Sequence, residues 1–342
     1  WLLEEFPDAA FINPYGEPVP GLIDFGHPGV LKALTRYLSE MAGRYRDSAC
    51  IDGYIIGDEY SVYQNYYHKK NFYGQNFNPR MKAAFREYLR KKYGSIGTLN
   101  RRFGSHYTDF ESITPSLEWI TGKNHEPEWA EWCRFRELEA ARIYSAMRDA
   151  IHKADPGRKI VLSAVAAVWP YHAVSGVNLN DLPWLDAFGE KLMTGDSPDS
   201  VANCGIPGRL MRGLGNPDKK LWVTNLSYHG WPNSKSGHVR GLVELMGSGV
   251  ELINYSLWDI HGGKDRRIKD AKWIKDAPCF FFLDKDKNYM AATELDILSG
   301  LTPFLGRYGT RIAQAVPGPS RLGILMPLES NRHEFRNRSE EH

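Results

Sequence analysis

Apolar positions in the first half of the chain recur at helical spacing. Between Pro28 and Tyr45 they fall at Val30, Leu31, Leu34, Leu38, Met41 and Ala42, one face of an α-helix. A second helix is predicted from Pro79, because Asn78-Pro79 pairs a capping side chain with a proline at the first helical position. Met81, Phe85, Tyr88 and Leu89 form its inner stripe, and Gly94 stops it. A third helix is expected over Glu128 to Ala154, with Phe135, Leu138, Ile143, Met147 and Ile151 inward and Asp155-Pro156-Gly157 as its end. Between and after these helices the pattern changes to short apolar runs at Tyr54-Ile55-Ile56, Lys159 to Val165, Ala187 to Met193, Lys220 to Asn225 and Val250 to Asp259. Such runs read as buried strands, and a helix at His238 to Met246 separates the last two. Strands alternating with helices imply a parallel sheet with right-handed crossovers. Five strands leave two solutions open: an open sheet, or a barrel whose first strands lie outside the chain.

After Asp259 this rhythm is lost. Lys264 to Lys275 reads as a charged helix face, followed by the apolar Phe280-Phe281-Phe282 and a helix from about Ala291 to Leu305. Ala315-Val-Pro-Gly-Pro-Ser320 has linker composition, and Arg321 to Pro327 looks like the first strand of another α/β unit. The expected organisation is therefore one large domain over residues 1–314 and the start of a second over 315–342.

Composition narrows the function. A net charge of +2, with Lys and Arg spread along the chain, lacks the concentrated basic face expected of a nucleic-acid binder. No run of about 18 apolar residues occurs, so no membrane-spanning helix is predicted. The chain opens on Trp1 without an initiator Met and shows no signal peptide, which leaves the compartment of this bacterial-type protein undecided between cytoplasmic and secreted. Cys50, Cys133, Cys204 and Cys279 are far apart and fit small apolar packing better than a zinc or redox motif. His68, His106, His229, His238 and His261 form no paired metal motif, so neither a metal nor another cofactor is expected. Aromatic residues, at 13%, suit the flat faces of sugars as well as a large core.

The chemistry concentrates in Asp52-Gly-Tyr-Ile-Ile-Gly-Asp-Glu-Tyr-Ser61. An apolar strand is cut by Gly57 and delivers Asp58 and Glu59, followed by Tyr60. Burying ionised carboxylates is costly, so a buried strand has no local use for two at its tip. Strand ends at the open face of an α/β barrel are where such groups serve catalysis. An aromatic, Asn-rich loop of roughly 18 residues follows, from Tyr60 to Phe77, longer than a plain connection requires.

Several segments follow one another in order: Trp1-Leu-Leu-Glu-Glu-Phe-Pro7, the Arg44-Tyr45 helix end, Gly57-Asp-Glu-Tyr60, Phe85 to Gly104 with its Tyr-Gly-Ser...Leu-Asn...Phe-Gly core, Trp132-Cys-Arg-Phe-Arg136, Lys220-Leu-Trp-Val-Thr224 and Ser320-Arg-Leu-Gly-Ile-Leu325. In that order and spacing the chain resembles the β-galactosidases of glycoside hydrolase family 42. The resemblance implies a (β/α)8 TIM barrel, entered near its third strand with the first strands missing, then the start of a trimerisation-type α/β domain. It implies a retaining glycosidase acting on an oligosaccharide or polysaccharide with galactose or a related sugar in the first subsite, and a homotrimer. It places Glu59 as general acid/base. Asp58 stands where the family has Asn against the sugar 2-hydroxyl.

One position departs from the family. The nucleophile is expected at the end of the seventh strand, where this chain has Asn225, and an amide cannot form a glycosyl ester. The second carboxylate is then sought at Asp259, after the eighth strand, or more weakly at Glu190 on the sixth. A non-catalytic, carbohydrate-binding homologue is the competing reading. Tyr60, Tyr228, His229, Trp231 and Trp258 are candidate sugar contacts; each of the aromatics could equally pin a loop or fill a core. Glu4 and Glu5 are expected to be solvated.

Overall fold

The computed structural model describes residues 1–57, 76–116, 118–119, 125–165, 176–193, 220–227, 242–247, 249–255, 281–283, 289–291 and 293–313. Its centre is a five-stranded sheet of β3 (Gly53–Ile55), β4 (Lys159–Val165), β5 (Ala187–Met193), β6 (Lys220–Ser227) and β7 (Val250–Tyr255). Every neighbouring pair is parallel, and the spatial order is the chain order. A doubly wound sheet reverses its order at a switch point; an unbroken sequence of parallel strands is how a barrel winds.

Curvature confirms the winding. The hydroxyls of Ser163 on β4 and Thr224 on β6 lie 2.7 Å apart although β5 runs between them. On a flat sheet those strands would stand about 9–10 Å apart. The sheet therefore curls sharply around this face, and Gly189, in register with Ser163, has no side chain to intervene. Val161, Ala187 and Trp222 line the same concave side, with Leu252 against them. Ile160, Leu162, Leu221 and Val223 alternate onto the convex side. There they pack with Leu38 and Ala42 of α2 (Pro28–Tyr45) and Ala140 and Ile151 of α5 (Glu126–Ala154). Burial on both faces explains why the starts of β4 and of β6 read as continuous apolar runs.

The helices begin and end where their local chemistry says they should. Pro28 opens α2 behind a His27 cap, and the Asn78 side chain accepts the Met81 N–H at 2.8 Å to open α3 (Pro79–Tyr93). Gly94 ends α3 with φ +72°. A short α4 (Ile96–Phe103), capped by Ser95 and closed by Gly104 in the left-handed conformation, adds a helix that the apolar spacing does not predict.

At 29 residues α5 is about 43 Å long, nearly twice a seven-residue strand. Its C-terminus feeds the start of β4, so the excess length lies beyond the C-terminal ends of the strands. There Trp129, Trp132, Cys133 and Phe135 meet Phe77, Met81, Phe85, Leu89, Leu99 and Ile113 in a second core. Phe85 sits at its centre, its ring centroid 5.1 Å from Trp132, 5.4 Å from Phe135 and 5.8 Å from Trp119. The first part of the chain adds α1 (Leu2–Glu5) and a hairpin of β1 (Ala10–Ile12) and β2 (Pro18–Ile23). Asp24, just past β2, accepts from Arg80 of α3, which also donates to Glu139 of α5 at 2.7 Å. This half-buried ion network ties hairpin, helical module and barrel wall together.

Some expectations shift. Leu138 is exposed rather than inward: the buried stripe of α5 runs through Trp129, Trp132, Cys133, Arg136, Glu137 and Ala140. Two of those are charged, so a count of apolar residues alone misplaces the face. Cys133 is buried as expected, whereas Cys50 is exposed. Residues 242–247 are helical (α6), Phe281–Leu283 (β8) pairs antiparallel with Tyr289–Ala291 (β9), and α7 runs from Thr293 to Ala313, past the expected Leu305. Glu4 and Glu5 are exposed. No helix among the described residues is long and apolar enough to cross a membrane. The proposed linker and second unit after residue 314 lie outside the described residues.

Candidate active site

The site is built from the tip of β3. Pairing with β4 continues past the strand itself: the Ile56 N–H donates to the Val161 carbonyl at 2.8 Å, and the Gly57 carbonyl accepts from the Ser163 N–H at 3.2 Å. The ladder thus holds the chain up to the residue before Asp58 and Glu59. Gly57 has φ +119°, a conformation that L side chains rarely adopt. A β-carbon there would lie 3.2 Å from Leu162 Cδ1 and 3.4 Å from the Tyr144 hydroxyl. Glycine is therefore required both by the turn that ends the strand and by the wall behind it. Burial pushes the Tyr144 phenol well above its ordinary range.

On the far side of the sheet, β5 and β6 pair Ala187–Lys220 through Glu190–Val223, then slip, and resume as Lys191–Asn225. Thr224 is the extra residue of this bulge, a device found at barrel rims and next to active sites. Asn225 consequently stands one register step nearer the C-terminal rim than Glu190, which is level with Ala164 and Val223. Asp58, Glu59, Tyr60, Tyr228, His229, Trp231, Trp258 and Asp259 lie outside the described residues; for Glu190 and Asn225 the backbone register is described.

The described chain resumes at Asn76. There the Phe77 N–H donates to the Ile12 carbonyl at 2.8 Å, and Asn76 Oδ1 accepts the Ile12 N–H at 3.2 Å. The β1–β2 hairpin thus anchors the start of this segment. Carboxylates with shifted acidity elsewhere are explained by structure. Burial raises Glu131 and Glu139, but hydrogen bonds from Lys92, Tyr88 and Tyr93 to the first, and the Arg142 and Arg80 guanidinium groups at the second, hold both below the usual range. Among the described residues no three His, Cys, Asp or Glu gather as a metal site.

Two polar residues that sequence reading passed over are Ser163 and Thr224. The signal was there for Ser163, the one hydroxyl in the apolar run of β4, but not for Thr224, which sits mid-strand with the polar Asn225 and Ser227 following it.

Residues 1–203 match the family model described as β-galactosidase, glycoside hydrolase family 42, well over half of the chain. The chain belongs to glycoside hydrolase family 42. The β-galactosidase BgaB of Geobacillus kaustophilus is 21% identical over 169 residues, covering 46% of this chain and 23% of that protein. The β-galactosidase structure from the psychrophilic Marinomonas ef1 superimposes with a TM-score of 0.75 at 14% identity, over 99% of this chain and 53% of that one. An exo-carrageenase of the same family from Bacteroides ovatus gives 0.62 at 15% identity, over 75% and 38%. The chain thus spans about half, or less, of the length of these relatives. The five sequential strands are part of the TIM barrel that characterises the family-42 β-galactosidases.

Proposed function

We propose that this family-42 chain carries the acid/base half of a glycosidase site, cleaving a β-linked, galactoside-like carbohydrate with Glu59 as general acid and then base. The observation that carries the reading is the conformation of Gly57, which ends β3 at the C-terminal rim and hands the chain to Asp58-Glu59 at the face where barrel enzymes act. Register count supports it as well. Gly57 is held level with Ser163 and Gly189, Glu59 follows two residues later, and the Lys191–Asn225 pair stands two steps beyond Gly189. The nucleophile-equivalent position, Asn225, thus lies two register steps past the level at which Gly57 leaves the ladder. Asp58 takes the place of the residue that contacts the sugar 2-hydroxyl.

A glycosidase needs a second carboxylate, about 5–5.5 Å away for retention or about 6.5–9.5 Å for inversion. Asn225 cannot supply one. Asp259, four residues beyond the end of β7 in the sequence, is the first candidate. Glu190, three residues before the end of β5 and one step deeper than Asn225, is the weaker candidate. Tyr60, Tyr228, His229, Trp231 and Trp258 are the proposed sugar contacts, and a homotrimer is the assembly the family resemblance suggests. The amide at 225 favours one second reading, a sugar-binding homologue without turnover.

Turnover of a panel of aryl β-glycosides by the wild type and by Glu59→Gln decides between them. Loss of activity in Glu59→Gln with an unchanged circular dichroism spectrum supports the enzyme. Activity within a few-fold of wild type removes Glu59 from the mechanism, and a wild type that binds galactosides without hydrolysing them favours the binding reading.

A further inference from the structure

Ser163 occupies an unusual place in the barrel. Its backbone N–H holds the Gly57 carbonyl at 3.2 Å, and its hydroxyl meets the Thr224 hydroxyl at 2.7 Å. Both side chains are buried, Ser163 almost completely. Gly57 precedes Asp58-Glu59, and Thr224 precedes Asn225. One residue of β4 therefore touches the segments that carry both proposed sides of the site. In a TIM barrel the interior layers are built from alternate strands, and β4 and β6 share such a layer here through hydroxyls rather than through the usual branched apolar side chains. Two hydroxyls are a costly choice for a barrel interior unless hydrogen-bonded, and the bond they make fixes a distance and a direction that apolar packing would leave loose.

Thr224 is also the extra residue of the β5–β6 bulge. A bulge re-aims the side chains beyond it, and a bulge residue without an anchor can slip back into the regular ladder. The hydrogen bond to Ser163 anchors it.

We infer that Ser163 and Thr224 are positioning residues: a cross-barrel brace that sets the separation between the tip of β3 and the bulged end of β6. The inference rests on the reading of Glu59 as acid/base. Displacements of about 1 Å at a reacting centre can cost on the order of a hundredfold in rate, so a small relaxation of the brace is felt in turnover before it is felt in binding.

The test uses the full chain with an aryl β-galactoside and the variants Ser163→Ala, Thr224→Val, Thr224→Ser and the double variant Ser163→Ala/Thr224→Val. Each of the first two lowers kcat by about tenfold with KM within about twofold, as expected for loss of alignment rather than of binding. The double variant loses less than the product of the two single losses, because the contact they share is removed only once. Thr224→Ser, which keeps the hydroxyl, recovers most of what Thr224→Val loses. A kcat unchanged in either hydroxyl deletion, or losses that multiply in the double variant, overturns the brace. If the wild type turns over no aryl galactoside, the glycosidase reading fails separately. The brace is then read from crystal structures of the wild type and Thr224→Val. A Gly57-to-Asn225 Cα separation that widens by about 0.5 Å, the tolerance of a functional site, supports it; an unchanged separation overturns it.

Discussion

Replacing Gly57 by Ala tests whether the strand tip is held as described. A φ of +119° is sparsely populated for an L residue, and holding one there costs about 1–3 kcal/mol. The new methyl would meet Leu162 Cδ1 at 3.2 Å and Tyr144 at 3.4 Å, so these neighbours must give by a few tenths of an ångström. Against this, alanine stiffens the unfolded chain and returns about 0.4–1 kcal/mol. The backbone balance alone is a loss of about 0–2.6 kcal/mol, and the crowding adds to it, so a loss of about 1 kcal/mol or more is expected. Gly16→Ala is the control, because its φ is +82° and nothing lies within 4 Å of the added methyl. Urea unfolding of wild type, Gly57→Ala and Gly16→Ala separates the backbone cost, shared by both variants, from the crowding found only at Gly57. Glu59 lies two residues on, so Gly57→Ala should also lower turnover while Gly16→Ala leaves it near wild type. Unfolding of Gly57→Ala within about 0.5 kcal/mol of wild type, the range of ordinary surface substitutions, would refute the reasoning.

Three further outcomes are expected. Gly43 lies inside α2 at ordinary φ, and an added methyl would sit 3.9 Å from Ala154 Cβ; Gly43→Ala should therefore raise stability by about 0.5–1 kcal/mol in urea melts, and a loss would contradict the placement of α2. Phe85→Ala opens a hole among Trp119, Trp132 and Phe135 and should cost about 3–5 kcal/mol, read from the same melts together with the near-ultraviolet aromatic signal. Glu131 is held below the usual carboxylate range, so its contribution is complete above about pH 4.5 and lost as pH falls through the lowered folded value. Glu131→Gln should then be less stable than wild type by about 1–3 kcal/mol at pH 7, with the gap closing as the melts are repeated toward pH 3; a gap that widens in acid has the wrong sign.

What the sequence showed and what it hid have physical causes. The three long helices were legible because caps, prolines and stop glycines act locally, as at Asn78, Pro79 and Gly94. The central parallel strands were legible because burial on both faces leaves apolar runs such as Ile160 to Leu162 and Leu221 to Val223. Hidden were features that depend on partners far along the chain. The β1–β2 hairpin is held partly by Asn76 and Phe77, more than 60 residues away. The inward stripe of α5 contains Arg136 and Glu137, which only a tertiary setting makes worth burying. The Ser163–Thr224 contact spans 61 residues and a bulge, and no periodicity announces either. Of the site itself, the break at Gly57 was visible as a composition change, whereas the reason for it, a positive φ against Leu162 and Tyr144, is a property of the fold.

The central claim, that Glu59 is the general acid, is tested most directly by the leaving-group dependence of Glu59→Gln. A general acid matters when the departing oxygen needs a proton and hardly matters when it does not. Rates should be measured on 2,4-dinitrophenyl and phenyl β-galactosides for wild type and variant. If Glu59 donates the proton, the variant loses on the order of a hundredfold or more on the phenyl substrate and far less on the dinitrophenyl one. Equal losses on both substrates, or none on either, would contradict the claim.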